Sequence, residues 1–166
     1  MTWYREDVEE LTAEDCWDLL GPAGTGRLAV VVDGEPEIFP VNYAVDEGTV
    51  VLRSGKGTKT AGALSGASVA FEVDGRDASA GRAWSVVLKG HAQDVPPGHE
   101  LMNALELPLF PWQAGRKDTF LRILPAAVTG RRFSVLEPEA WDSTAAPGRR
   151  TPGGSARWLA TDPGEP

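Results

Sequence analysis

The sequence predicts a mostly β protein in which six strands form a closed or nearly closed antiparallel barrel with a few short helices. Three observations predict this fold class. Apolar runs with strand-like spacing recur along the chain, short turns such as Asp33-Gly34 separate several of them, and no long crossover helix lies between them. A parallel sheet needs such crossover helices, so we expect the strands to run antiparallel.

Composition limits the classes of function. The 166 residues carry a net charge of −8 and are 42% hydrophobic and 24% charged, as is usual for a globular domain. No apolar run approaches the roughly 20 residues that span a bilayer, and the first residues lack the apolar region of a signal peptide. Cys16 is the single cysteine, so no intramolecular disulfide or zinc cluster is expected. We therefore expect a cytoplasmic protein that binds neither membrane nor nucleic acid.

The chain begins with an acidic segment and a predicted helix. Seven carboxylates stand among the first 18 residues, which we interpret as the solvated face of a helix. Thr12 is a suitable N-cap and Gly21 a suitable stop for that helix. Cys16 shares a face with Leu19 and Leu20 at helical spacing. The acids around Cys16 should raise the pKa of its thiol, so it is a poor nucleophile candidate.

The strand-like segments follow in order. We predict strands over residues 27–32, 37–45, 49–52, 68–73, 83–95 and 120–136, and short helices over 59–64 and 99–107. Pro40 lies inside the second strand and predicts a sheet edge or a bulge, because proline cannot donate to a ladder. Asp74-Gly75 is predicted to end the fourth strand. A bend is expected at Gly90, and an interruption near Pro125.

The last 29 residues differ from the rest of the chain. Residues 138–166 hold five prolines and four glycines and few large apolar side chains. We therefore divide the chain into a barrel domain over residues 1–137 and a Pro/Gly-rich tail over 138–166. The tail is predicted to be mobile or to lie as an arm over a surface.

A basic loop after the third strand is the most informative motif. Residues 53–59 read Arg-Ser-Gly-Lys-Gly-Thr-Lys, and no Asp or Glu occurs from Gly48 through Phe71 although the whole chain is acidic. Cations, hydroxyls and backbone N–H groups at a strand-to-helix junction suit a bound phosphate. The alternatives are a solvated turn, or an Arg53 that pairs with a carboxylate of the tail.

The order of motifs identifies a resemblance. Gly-Arg-Leu-Ala at 26–29, Ile-Phe-Pro-Val-Asn-Tyr at 38–43, the loop at 53–59, Ala-Trp-Ser-Val-Val-Leu-Lys-Gly-His-Ala at 83–92 and Val-Thr-Gly-Arg-Arg-Phe at 128–133 follow one another as in one family. From Thr12 to Phe133 the chain resembles the pyridoxamine 5′-phosphate oxidase-like, FMN-binding split-barrel superfamily, and within it the small actinobacterial-type flavin-binding members.

The resemblance implies a cofactor site and a homodimer. It implies that the FMN phosphate lies among Arg53, Ser54, Thr58 and Lys59. It implies that the isoalloxazine edge contacts Pro40, Val41 and Asn42, whose backbone and side-chain groups would meet the ring nitrogens and carbonyls. It further implies a homodimer with flavins at the interface, to which Trp84, Trp112 and Arg116 would contribute from the partner subunit.

The function implied is that of an FMN-dependent oxidoreductase that passes hydride through the flavin to or from a small organic substrate. The chain lacks the Arg-Leu-x-Pro-like C-terminal motif of true pyridoxamine-phosphate oxidases, which argues against the vitamin as substrate. No residue is singled out as catalytic, and no metal is expected. The alternatives are a non-catalytic flavin carrier, a deazaflavin- or haem-binding relative, and an interaction module without cofactor.

Overall fold

The fold is known from a computed structural model that describes residues 8–21, 24–109 and 118–135. The predicted tail, 138–166, lies outside these residues. The described part contains seven strands and three short helices in the order β1 (Val8–Leu11), α1 (Ala13–Leu20), β2 (Gly24–Val32), β3 (Glu35–Asp46), β4 (Thr49–Ser54), α2 (Thr58–Ala63), β5 (Val69–Asp77), β6 (Arg82–Asp94), α3 (His99–Glu106) and β7 (Thr119–Ser134).

Six of the strands close a barrel. All pairings are antiparallel, and they run β7-β4-β3-β2-β5-β6 before β6 returns to β7. The predicted mostly β class and six-stranded antiparallel barrel are thus confirmed, and β1 adds a seventh strand outside the ring. Because each strand of the ring is paired on both sides over part of its length, closure removes most of the exposed edge.

Strand β1 corrects one expectation. It pairs with the C-terminal half of β7, where Glu9 lies opposite Arg132 and Glu10 opposite Arg131. Glu9 and Glu10 therefore lie on a strand opposite cations, whereas the acids at 14, 15 and 18 lie on α1, where a helical face was expected. The helix predicted after Thr12 is present. The Thr12 hydroxyl accepts a hydrogen bond from the Asp15 N–H, and the Asp15 carboxylate accepts one from the Thr12 N–H.

The barrel interior is filled by alternate side chains of the strands. Phe71, Leu88 and Ile123 are fully buried there, and the Tyr43 ring meets Phe71 edge to face with centroids 5.1 Å apart. Helix α1 closes one end of this core. Its Leu20 carbonyl accepts a hydrogen bond of 3.1 Å from the Tyr43 hydroxyl, which satisfies a polar group that would otherwise be buried without a partner.

The opposite face of the sheet carries a second apolar cluster. This outer cluster consists of Ala44, Val51, Val95, Ala104, Leu109 and Phe120. Because successive side chains of a strand point to opposite faces, Val51 faces away from the interior that its neighbours Val50 and Leu52 fill. Helix α3 covers the outer cluster through Ala104, so this helix fixes one side of the outer face.

Two glycines bear on the strand predictions: Gly75 marks a difference from the structure and Gly90 an agreement with it. The fifth strand runs on to Asp77 although Asp74-Gly75 was predicted to end it. A Cβ at Gly75 would lie 2.5 Å from the Trp84 ring, so glycine makes room for that ring instead of breaking the strand. At Gly90 a Cβ would lie 2.0 Å from the Leu124 carbonyl oxygen, and the β6–β7 register shifts there, which agrees with the predicted bend.

Candidate functional site

The candidate site begins where β3 and β4 separate. The two strands pair only over four positions, from Asp46↔Thr49 to Tyr43↔Leu52. Beyond the last pair, β3 continues along β2 while β4 continues along β7. Within the described residues, the segment of β3 from residue 35 to 41 is therefore a free edge on its β4 side. We call the gap between this edge and the end of β4 the split.

The hairpin turns determine which backbone groups face the split. Glu47 and Gly48 both have positive φ, 46° and 73°, as in a two-residue type I′ turn, which makes Asp46↔Thr49 a hydrogen-bonded pair. Backbone groups alternate in direction along a strand, so those of Asp46 and of every second residue before it point away from β2. On the free edge these residues are Pro36, Ile38 and Pro40, and Asn42 follows them beside the last pair with β4.

Pro40, Val41 and Asn42, which the resemblance implies at the flavin ring, differ in which groups they direct toward the split. Pro40 presents a carbonyl and no donor to the split, and the Asn42 N–H points in the same direction. The Asn42 side chain lies on the outer face, and its Oδ1 accepts a hydrogen bond of 3.4 Å from the Thr25 hydroxyl. Val41 is 5% exposed and packs in the barrel core, while its backbone groups point toward β2. Val41 therefore contributes to the split only by anchoring Pro40 and Asn42 through its packing in the core.

Arg53 stands on the other side of the split. It follows Leu52, the last residue paired with β3, and by alternation its side chain shares the outer face with Asn42. Its guanidinium carbon lies 5.4 Å from the centroid of the Phe120 ring, the residue opposite it on β7. A cation over an aromatic face is attracted by the ring quadrupole, so Phe120 restrains the direction of this charge.

Ser54 faces inward and bonds within its own loop. Its side chain is 1% exposed, its Oγ lies 3.0 Å from the Thr60 hydroxyl oxygen, and the carbonyl oxygen of Gly55 accepts a hydrogen bond from the Thr60 hydroxyl at 2.7 Å. Any anion contact of Ser54 would thus come from its backbone. Sequence reasoning passed over Thr60, although a hydroxyl six residues after Ser54 at a strand-to-helix turn is a visible signal.

The tip of the loop is open. Lys56, Gly57 and Thr58 are exposed, and Lys59 is half-buried in the first turn of α2. A Cβ placed on Gly57 would meet no atom within 4 Å, so there is room beside the backbone at this point. Three cations with no carboxylate in the surrounding segment and space beside a glycine backbone suit a phosphate group.

Not all the predicted residues come together. Trp84 pairs with Arg132 near one end of β6, whereas Asp94 at the other end pairs with Leu121, beside Phe120. Trp84 also lies opposite Gly75 on β5 and packs against the barrel core, so it belongs to a different part of the ring from Arg53 and Phe120. Trp112 and Arg116 lie outside the described residues.

Other chemistry is sparse in the described part of the chain. It contains no group of three or more His, Cys, Asp or Glu side chains that could hold a metal ion, and no helix long and apolar enough to cross a membrane. Cys16 is fully buried, and burial, with a smaller effect from Asp15, raises the pKa of its thiol. This direction agrees with the prediction that Cys16 is a poor nucleophile.

Comparison with known proteins gives consistent matches. The sequence model of the family described as Pyridoxamine 5′-phosphate oxidase matches residues 12–132. An uncharacterized protein of Mycobacterium tuberculosis is 33% identical over 132 residues, which cover 76% of this chain and 86% of that protein. Among solved structures, the FAD binding protein from Mycobacterium smegmatis is 37% identical with a TM-score of 0.65, and the match covers 75% of this chain and 97% of that one. A FAD-binding protein from Mesorhizobium loti is 28% identical with a TM-score of 0.66, covering 78% and 98%.

Proposed function

This chain belongs to the pyridoxamine 5′-phosphate oxidase family, and from that premise we propose that it is a flavin-binding oxidoreductase that acts on a small organic substrate. The observation that carries the proposal is the split, where β3 leaves β4 and where Arg53, the first cation of the loop, shares the outer face with the edge of β3. A flavin nucleotide has the matching parts, a flat ring with an imide edge and a negatively charged phosphate. The flavin supplies the hydride or electron transfer chemistry.

The residues at the split have distinct parts in this proposal. The Pro40 carbonyl accepts a hydrogen bond from the imide N–H of the ring, and the Asn42 N–H donates to a ring carbonyl. Lys59 and Arg53 neutralise the phosphate, and Thr58 and the backbone at Gly57 donate to its oxygens. The outer cluster beside Arg53 provides an apolar border that keeps water from one side of the ring.

We further propose a homodimer in which the flavin lies between subunits. Ile38, on the same outer face as Pro40 and Asn42, is 65% exposed, and an apolar side chain beside a ligand site is suited to burial by a second copy. Trp84, Trp112 and Arg116 would stack or pack in the site of the partner subunit. Size-exclusion chromatography with light scattering tests this part, and a monomer at micromolar concentration would contradict it.

The choice of flavin follows from the phosphate loop and the relatives. A loop with three cations matches the single phosphate of FMN, which is our first expectation. Two of the solved structures that resemble this chain are named as FAD-binding, and FAD contains the same riboflavin 5′-phosphate unit. We propose that the loop binds this shared unit.

The direct test is to purify the protein and identify its chromophore. We expect a flavin absorption spectrum and release of FMN or FAD on denaturation, identified by mass. A deazaflavin or haem spectrum would instead identify the protein as binding that cofactor. A colourless protein that binds none of the three cofactors on incubation would overturn the proposal.

A non-catalytic flavin carrier is the second candidate. One observation favours it: the described side chains at the split are Asn42, Arg53, Thr58 and Lys59, and none of these is a general acid or base at neutral pH. The two candidates separate when the bound flavin is reduced chemically and its reoxidation is followed with and without nicotinamide nucleotides or quinones. An oxidoreductase accelerates the reaction with one class of acceptor, whereas a carrier gives the same slow rate with all of them.

A further inference from the structure

Two buried hydroxyls face each other beneath the basic loop. Ser54, at the end of β4, and Thr60, in α2, are the two buried polar residues among those the structure describes, at 1% and 8% exposure. Their oxygens lie 3.0 Å apart, and both lie within hydrogen-bond distance of the Gly55 carbonyl oxygen, at 3.1 and 2.7 Å. Ser54, Gly55 and Thr60 thus form a small polar cluster, which we call the hydroxyl clasp.

The hydroxyl clasp closes a short segment of chain. Residues 56–59, which carry Lys56, Thr58 and Lys59, run between its two ends. The far end is itself fixed, because α2 packs closely on β2. A Cβ on Gly62 would lie 2.8 Å from a Val32 methyl group and 2.9 Å from a Val30 methyl group. The loop is therefore held between the end of β4 and a helix that has little freedom to move.

We propose that Thr60 is a positioning residue for the phosphate of the bound flavin. It acts through the hydroxyl clasp, which holds the Arg53–Lys59 loop in the binding shape before the ligand arrives, and makes no contact with the ligand itself. A loop that is already ordered loses less conformational entropy on binding, so its contacts contribute more of their free energy to affinity. This inference rests on the proposed function, since it specifies how the same site recognises its ligand.

The chemistry of the ligand supplies a specific test. Riboflavin contains the ring without the phosphate, whereas FMN contains both. A positioning residue of the phosphate loop should change the affinity for FMN and leave that for riboflavin unchanged. A residue that only stabilises the barrel should change both affinities together.

The experiment titrates apo-protein with FMN and with riboflavin and follows quenching of flavin fluorescence. We expect the protein to bind FMN at least about tenfold more tightly than riboflavin, and Thr60→Val to remove most of that preference. Thr60→Ser, which keeps the hydroxyl, should restore it to within about threefold. Ser54→Ala, which leaves the bond from Thr60 to the Gly55 carbonyl in place, should give an intermediate loss and replaces Thr60→Val if that variant does not fold.

The outcomes separate the two proposals. If the protein binds neither flavin, the proposed function fails. If it prefers FMN to riboflavin and Thr60→Val or Ser54→Ala leaves the preference unchanged, the positioning role fails while the flavin site stands. Amide hydrogen exchange of residues 56–59 in the apo-protein gives a readout that needs no ligand: Thr60→Val should increase exchange there, and unchanged exchange would overturn the hydroxyl clasp as a restraint.

Discussion

The guanidinium of Arg53 lies over the ring of Phe120, 5.4 Å from its centroid, with the two residues paired across β4 and β7. This contact joins the outer cluster to the split, because Phe120 belongs to the cluster and Arg53 borders the gap. The apolar packing of α3 against the sheet therefore influences, through Phe120, the position of the Arg53 guanidinium.

Replacing Phe120 with Leu should weaken flavin binding about two- to fivefold, because a cation–π contact of this kind contributes about 0.5–1 kcal/mol. The affinity for FMN, measured by fluorescence titration, checks the expectation. Val95→Ala is the matched control, since Val95 lies in the same cluster and Phe120 is the residue paired with Arg53. If both variants lose affinity equally, the effect comes from general loosening of the cluster.

Lys59→Ala should weaken FMN binding by about 1.5–3 kcal/mol, because a charge-assisted bond to phosphate is lost. The effect should decrease at high salt, where ions screen the interaction. Lys89→Ala removes an exposed cation from β6 and serves as the control, with no expected change. An unchanged dissociation constant for Lys59→Ala would remove this residue from the phosphate site.

Two variants distinguish a flavin contact of the Asn42 side chain from its structural hydrogen bond with Thr25. Thr25→Val removes the hydrogen bond to Asn42 Oδ1 and keeps the Asn42 amide, whereas Asn42→Ala removes both. We expect Asn42→Ala alone to shift the flavin absorption spectrum or reduction potential, with thermal stability reduced by less than about 1.5 kcal/mol in either variant. Equal spectra for the two variants would assign Asn42 to packing alone.

The hairpin that leads into the split depends on a partly buried ion pair. Arg122, with a side chain 12% exposed, donates hydrogen bonds of 2.7 Å to Asp46 Oδ2 and to the Thr49 hydroxyl. Asp46→Ala should lower the free energy of unfolding by about 2 kcal/mol, because it leaves the Arg122 charge with fewer partners. Urea denaturation checks this. Adding Arg122→Met should recover part of the loss, and strictly additive effects would contradict the coupling.

The buried thiol of Cys16 should make the free energy of unfolding depend on pH in the alkaline range. Its thiol pKa is raised above the ordinary 9.0, chiefly by burial, so the folded protein keeps the proton while the unfolded chain releases it. This stabilisation is present below the unfolded pKa and is lost as pH rises above it, at up to about 1.4 kcal/mol per pH unit. Cys16→Ala should reduce the fall in unfolding free energy between pH 8 and 10, and identical slopes would refute the assignment.

The sequence predicted the barrel because its strong signals are local. Alternating apolar residues and the turn at Asp33-Gly34 need no knowledge of the rest of the chain, and both are confirmed. The strand at Val8–Leu11 was missed because its stability comes from pairing with β7, whose arginines are more than a hundred residues away. Gly75 was misinterpreted for the same reason, since its small size serves the distant Trp84 ring.

The candidate site was predictable as a set of residues and only partly as an arrangement. The cationic loop and the Pro-Val-Asn segment are visible in the sequence, and the register of β3 and β4 puts Arg53 and Asn42 on the same face. That Val41 and Ser54 face inward follows from the register, which the sequence does not specify residue by residue. Thr60 gave a weaker signal, because its role depends on a contact with Ser54 that only the folded structure shows.

The free edge of β3 also has a consequence for solubility. Of the three residues whose backbone groups face outward there, Pro36 and Pro40 have no N–H, so an extended segment of another molecule would find two of the three donors missing. Templated growth of cross-β aggregates requires an uninterrupted row of such donors. The same two prolines that leave an opening for a small flat molecule thus make this edge a poor seed for fibrils.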